Sequence, residues 1–111
     1  MQVHTELGPG LLESAYAKSL AAKFRGADLA FASQGALSLN QGGVQSRRAY
    51  VADFIVENSL LIELKTVDRL LPVHTSQVVT YLKLAKLRKG LIFNFRVAHM
   101  RDGIRSVILA E

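Results

Sequence analysis

The chain of 111 residues contains no cysteine, which excludes disulfides, thiolate metal sites and a cysteine nucleophile, and makes a cytoplasmic setting the simplest expectation. It has no apolar run near the ~20 residues that a helix needs to cross a membrane, so no membrane association is expected. Its first residues, Met1-Gln2-Val3-His4-Thr5-Glu6, lack the charged-then-apolar order of a secretory signal. There is no internal repeat, no low-complexity tract, no glycine-rich phosphate loop, no zinc-ligand spacing and no Ser–His–Asp arrangement. Acids are outnumbered by Lys and Arg, nine against fourteen, and the imbalance is local. Residues 83–105 hold seven basic side chains and one acid, a net of +6, which leaves the rest of the chain at −1. Clustered basic charge favours a polyanionic partner, nucleic acid first, although an ordinary solvated surface also accounts for it. The cluster has no interleaved aromatics of the kind that stack single-stranded bases.

What is present suits one domain over residues 1–111, since half the residues are hydrophobic. The stretch that stands out runs through Asp53 to Lys65. It reads as two apolar strands, residues 50–56 and 60–66, joined by a short polar turn. Their near-continuous apolar character predicts that both faces of the sheet are covered, as in an α/β layer. Three charges lie inside these strands: Asp53, Glu63 and Lys65. Burial of an unpaired carboxylate costs several kcal/mol, so such groups pair or bind a cation. Two carboxylates and a lysine point to a site for a hard divalent cation; a salt bridge from Lys65 to either acid is the plainer account. Glu63 and Lys65 are two apart and share a face. Asp53 joins them only if the hairpin pairs residues whose numbers sum to an even value, as Val56 with Leu60 does. A two-residue turn at Asn58-Ser59 pairs Glu57 with Leu60 and points Asp53 away. The chemistry therefore predicts a three-residue turn or a bulge.

Along the rest of the chain, residues 3–7 read as the end of a helix stopped by Gly8-Pro9-Gly10. Residues 11–24 read as a helix with Leu12, Ala15, Tyr16 and Leu20 in its apolar stripe, ended by Gly26. Glu13 lies one position off that stripe, where the helix dipole alone favours an acid. Ala30-Phe31-Ala32 and Ala36-Leu37-Ser38-Leu39 are weak strands, Asn40-Gln41-Gly42-Gly43 a turn, and the polar run to Arg48 a loop. After the break at Leu70-Leu71-Pro72, Thr75 or His74 caps a helix running to about Leu87. Val78, Leu82 and Ala85 form its apolar side, Gln77 and Tyr81 stack four apart, and Lys83, Lys86, Arg88 and Lys89 charge its C-terminal half. Residues 91–95 are a further buried strand, and Ile104, Val107, Ile108 and Leu109 mark a last one after the turn Asp102-Gly103. His4 and His99 read as bystanders, and His74 as a capping or surface residue.

These motifs, in this order, resemble a known family. Gly10-Leu11-Leu12-Glu13-Ser14-Ala15-Tyr16 fits the pattern that names the GxxExxY protein family, a branch of the PD-(D/E)xK nuclease superfamily. Asp53 followed by Glu63-Leu64-Lys65 looks like the superfamily's metal-binding signature, and Gln77-Val78-Val79-Thr80-Tyr81 resembles the QxxxY motif of its RecB-like nucleases. The helix before Gly8 is shorter than in the family, and residues 34–48 match it poorly. The resemblance implies an α/β (α+β) restriction-endonuclease-like core, a mixed central β-sheet flanked by helices in the order α-β-β-β-α-β. It also implies a phosphodiesterase dependent on Mg²⁺ or Mn²⁺, acting on nucleic acid and on DNA before RNA. By that resemblance Asp53, Glu63 and the Leu64 carbonyl hold the metal, with Glu13 reaching it through water. Lys65 orients or deprotonates the attacking water or neutralises the phosphate, and Gln77 orients Lys65, the water or the phosphate. Tyr16 and Tyr81 pack in support. The clustered charge, rather than the resemblance, makes Lys83, Lys86, Arg88 and Lys89 the expected nucleic-acid contacts flanking the site. The superfamily's compact members include dimeric Holliday-junction resolvases, so a homodimer is a further expectation. The competing readings are a nucleic-acid-binding module that keeps the fold without catalysis, and a protein-interaction subunit.

Overall fold

The computed structural model describes residues 2–8, 13–41 and 44–110, with backbone alone over 34–41 and 44–51. In chain order the elements are α1 (Gln2–Leu7), α2 (Glu13–Gly26), β1 (Phe31–Gln41), β2 (Val44–Val56), β3 (Leu60–Lys65), α3 (Pro72–Ala85), β4 (Lys89–Asn94), a 3₁₀ turn (Met100–Asp102) and β5 (Ile104–Ile108). Five strands form one sheet in sequence order. β1–β2, β2–β3 and β4–β5 pair antiparallel, whereas α3 carries the chain back so that β3 and β4 run parallel. This is the mixed sheet with flanking helices that the family resemblance implies.

Two boundaries differ from the sequence expectation. β1 and β2 are one long ribbon, pairing Leu39 with Ser46 and Gln41 with Val44, so the polar run before Arg48 is strand rather than loop. Antiparallel backbone bonds hold such a ribbon without an apolar side-chain pattern to announce it. Gly42 and Gly43 of the expected turn lie outside the described residues, as do Pro9, Gly10, Leu11 and Leu12. The third helix starts at Pro72 rather than beyond it, because proline suits the first helical position. Leu71 is the cap residue, and His74 Nδ1 accepts its N–H at 2.9 Å, closing the first turn.

The sheet is covered on both faces. On one side α1 and α2 bury Val3, Tyr16 and Leu20 against Phe54, Ile62, Leu64, Phe93 and Phe95. On the other, α3 sets Val78, Tyr81 and Leu82 against Leu61, Ile92 and Val107. Gly90 lets α3 lie directly on β4, since a Cβ there would stand 2.8 Å from the Val78 Cγ1. Alternation along β3 therefore sends Ile62 and Leu64 towards α2, and Leu61, Glu63 and Lys65 towards α3.

β2 breaks this alternation. Ala52 packs on the α3 side, yet Phe54 and Val56, of the same parity, pack on the α2 side. The change of cluster falls across Asp53, although the pairing with β1 stays in register there. Its pairing with β3 comprises Val56–Leu60, Ile55–Leu61 and Phe54–Ile62, the even-sum register joined by the three-residue turn Glu57-Asn58-Ser59. Glu57 and Asn58 hold φ of 54° and 52°, which lets three residues reverse the chain in that register.

Candidate active site

Beyond Phe54–Ile62, side chains take over from the backbone ladder. Leu64 donates its N–H to Asp53 Oδ2 at 2.7 Å, and Asp53 donates its own N–H to Glu63 Oε1 at 3.2 Å. Each acid thus braces the strand that carries the other. Glu63 is only 5% exposed, which matters because a carboxylate so buried is expensive to ionise. Burial first, then the charge of Asp53 and a hydrogen bond with its side chain, push the Glu63 carboxyl up to about 8. The Asp53 N–H and Lys65 pull the other way and do not prevail. Lys65 Nζ stands 3.7 Å from Glu63 Oε2.

Two further polar side chains reach this point from the helix layers. On α3, Gln77 Oε1 accepts from Lys65 Nζ at 3.3 Å. Gln77 adjoins fully buried Val78, so the packing of α3 on the sheet fixes where its amide stands. On α2, Glu13 is exposed as a residue, but its carboxyl end turns to the site and is shifted upward. Partial burial is the first cause and Asp53 the second, opposed by Lys65 and a backbone hydrogen bond from Thr66. The structure therefore brings together all five polar residues singled out from sequence: Glu13, Asp53, Glu63, Lys65 and Gln77. They come from α2, β2, β3 and α3 and meet where the sheet opens. Among the described residues no group of three or more His, Cys, Asp and Glu side chains is arranged to hold a metal ion. Asp53 and Glu63 are the carboxylates in mutual contact, and their hard oxygens suit Mg²⁺, which takes few carboxylates and keeps several waters.

The remaining expected residues fall into two groups. Tyr16 is fully buried, stacks on Phe95 with ring centroids 4.1 Å apart, and donates its hydroxyl hydrogen to the Gly8 carbonyl. Tyr81 is buried in the α3-side core. Both are packing residues, Tyr16 one turn beyond Glu13 and Tyr81 one turn beyond Gln77. His4 also proves structural, its Nε2 2.8 Å from the Val97 carbonyl oxygen. The basic cluster is placed differently from expectation. Lys83, Lys86, Arg88 and Lys89 are exposed, but Lys89 pairs with Leu60 while Lys65 pairs with Asn94. Lys89 stands at the end of β3 and β4 opposite to Lys65, roughly 16 Å away at ~3.3 Å per residue, and the other three lead into it along the end of α3 and the turn to β4. The parallel return through α3 causes this: the C-terminus of the helix must lie at the start of the next strand.

One residue was missed. Asn94, 2% exposed, accepts the N–H of Val67 at 3.1 Å and donates to the Val67 carbonyl at 2.9 Å, while its Oδ1 also takes the Arg96 N–H at 3.3 Å. It pins the segment leaving Lys65. An amide inside the apolar run Leu91-Ile92-Phe93-Asn94-Phe95 was the available signal, because a buried amide must be satisfied.

A family profile matches residues 1–107, that of the PD-(D/E)XK nuclease superfamily. The chain belongs to this superfamily. Asp53 and the run Glu63-Leu64-Lys65 have the form of the PD-(D/E)XK signature, and they lie at the opening between β2 and β3. A solved structure titled "Crystal structure of SSO0001" shares the fold, with a TM-score of 0.61 and 24% identity over 86% of this chain. The match takes in 48% of that protein, so the present chain spans about half its length. No curated protein matches.

Proposed function

We propose that this PD-(D/E)XK chain is a metal-dependent nuclease that hydrolyses phosphodiester bonds in DNA, and that it belongs to the GxxExxY branch. The observation that carries this reading is the convergence of Glu13, Asp53, Glu63, Lys65 and Gln77 from four elements on one opening in the sheet. Asp53 and Glu63, with the Leu64 carbonyl, would hold Mg²⁺ or Mn²⁺, and Glu13 would reach it through water. When bound, the metal supplies an acidified water and neutralises charge on the phosphate. The chain's own residues do the rest. The Leu64 N–H holds Asp53 in place, and Gln77 holds the Lys65 amine within reach of Glu63. Lys65 is thereby set to orient the attacking water or to neutralise the phosphate. A cation held there would compete with the proton of the raised Glu63 carboxyl, which would couple its binding to pH. The absence of cysteine supports a cytoplasmic setting, and self-association follows only by analogy with compact members of the superfamily.

A binding module without catalysis is the second reading, favoured by the lack of a three-ligand cluster among the described residues. Incubation with plasmid, single-stranded and branched DNA and with RNA, each in Mg²⁺, Mn²⁺ or EDTA, separates the two. The expected result is cleavage of DNA that EDTA stops. Folded protein that binds DNA but cuts nothing in either metal decides for the binding module.

A further inference from the structure

We propose that the nucleic-acid backbone leaves this site along α2, with its phosphates held by Lys18 and Arg25; the proposal rests on the nuclease reading and adds the path of the substrate. A cavity of about 330 Å³ lies between α2 and the β1–β2 layer, lined by Ala17, Lys18, Ala21, Arg25, Ser33 and Asp53. Asp53 belongs both to this cleft and to the carboxylate pair, so the cleft runs into the site. Ala17 and Ala21 lie one helical turn apart and carry only a methyl each, which leaves the wall of the cleft bare. Lys18 and Arg25 are seven positions apart on the same helix, about 10.5 Å along its axis, or roughly three nucleotide rises of a strand.

Both cations are exposed, and among the described residues neither pairs with a carboxylate; the ion pairs there are Lys23–Glu6, Lys65–Glu63 and Arg96–Asp68. The Arg25 guanidinium lies 5.4 Å from the centroid of the Phe31 ring, which steadies it at the cleft. An extended polyanion meets these two charges in line with Asp53. The denser basic cluster around Lys86 and Lys89 is at the far end of the sheet from the carboxylates and outside this cleft.

The test is fluorescence anisotropy with labelled duplex and single-stranded DNA in EDTA, over a range of salt, with a thermal melt of each variant. Lys18→Gln/Arg25→Gln is expected to weaken binding about tenfold or more for every sequence. It should also lower the slope of log Kd against log salt by about 1.5, for two lost phosphate contacts. Lys86→Gln/Lys89→Gln should change both less. Because Arg25 packs on Phe31, Lys18→Gln alone serves as a second variant, with about a threefold loss and half the change in slope. Affinity and slope unchanged in folded Lys18→Gln and in the double variant overturn the path, as does wild-type protein that binds no DNA. Wild-type protein that binds with this dependence yet cuts nothing overturns the nuclease reading and leaves the path standing.

Discussion

At its hairpin end, β3 is held to β2 by backbone pairing, Val56–Leu60 and Ile55–Leu61, around a Leu61 side chain with no exposed surface. Two residues on, the same two strands are held by carboxylates, Asp53 on the Leu64 N–H and Glu63 on the Asp53 N–H. The first arrangement buries apolar area and pairs backbone with backbone. The second leaves acidic side chains as the glue, which gains little stability because two carboxyls must share one shielded place. A strand six residues long thus divides into a half that supports the fold and a half that is poised for chemistry.

The comparison breaks most sharply if the two halves are substituted in turn. Asp53→Ala and Glu63→Ala should each lower cleavage by about 10³-fold or more, and the double variant should be little worse, since the two acids act as a unit. Lys65→Ala should follow at roughly 10²-fold. Single-turnover cleavage assays check this, with a melt beside each. Leu61→Ala should do the reverse. It should cost about 2–5 kcal/mol of stability by urea unfolding and leave cleavage per folded molecule close to wild type. If Leu61→Ala loses cleavage while still folded, the two halves are not separable.

The smallest expected effect sharpens the comparison through pH. The Glu63 carboxyl is raised in the fold from an ordinary 4.5 to about 8, so between those values the folded state binds more protons than the unfolded one. Its stabilising contribution is complete below about pH 4.5 and is lost as pH rises to about 8. Metal-free protein should lose at most about 1.4 kcal/mol of stability per pH unit across that window from this group. Glu63→Gln should flatten the dependence and raise stability at the alkaline end, as denaturant titrations at several pH values would show. Equal slopes for wild type and Glu63→Gln would mean that the raised carboxyl is not what makes this half of the strand weak.

The sequence by itself determined the two central strands, the register that their charges require of the hairpin, and the buried trio Asp53, Glu63 and Lys65; the mixed sheet and the parts of Glu13 and Gln77 came from the family resemblance of its motifs. The reason is locality. Apolar periodicity, the cost of a charge inside an apolar strand, and the parity of a hairpin are all set by residues close in the chain. Tertiary structure alone decided three things. Ala52 joins the core under α3 and Phe54 the core under α2, a division that depends on which helix layer covers each. Asn94 satisfies its amide on Val67, a residue 27 positions away that no local pattern names. Finally, the parallel pairing of β3 with β4 carries Lys89 to the Leu60 end of the sheet, so the densest positive charge in the sequence lies away from the acids it was expected to flank. Charge summed along a chain records how much is present, whereas the direction in which a strand is crossed determines where that charge stands.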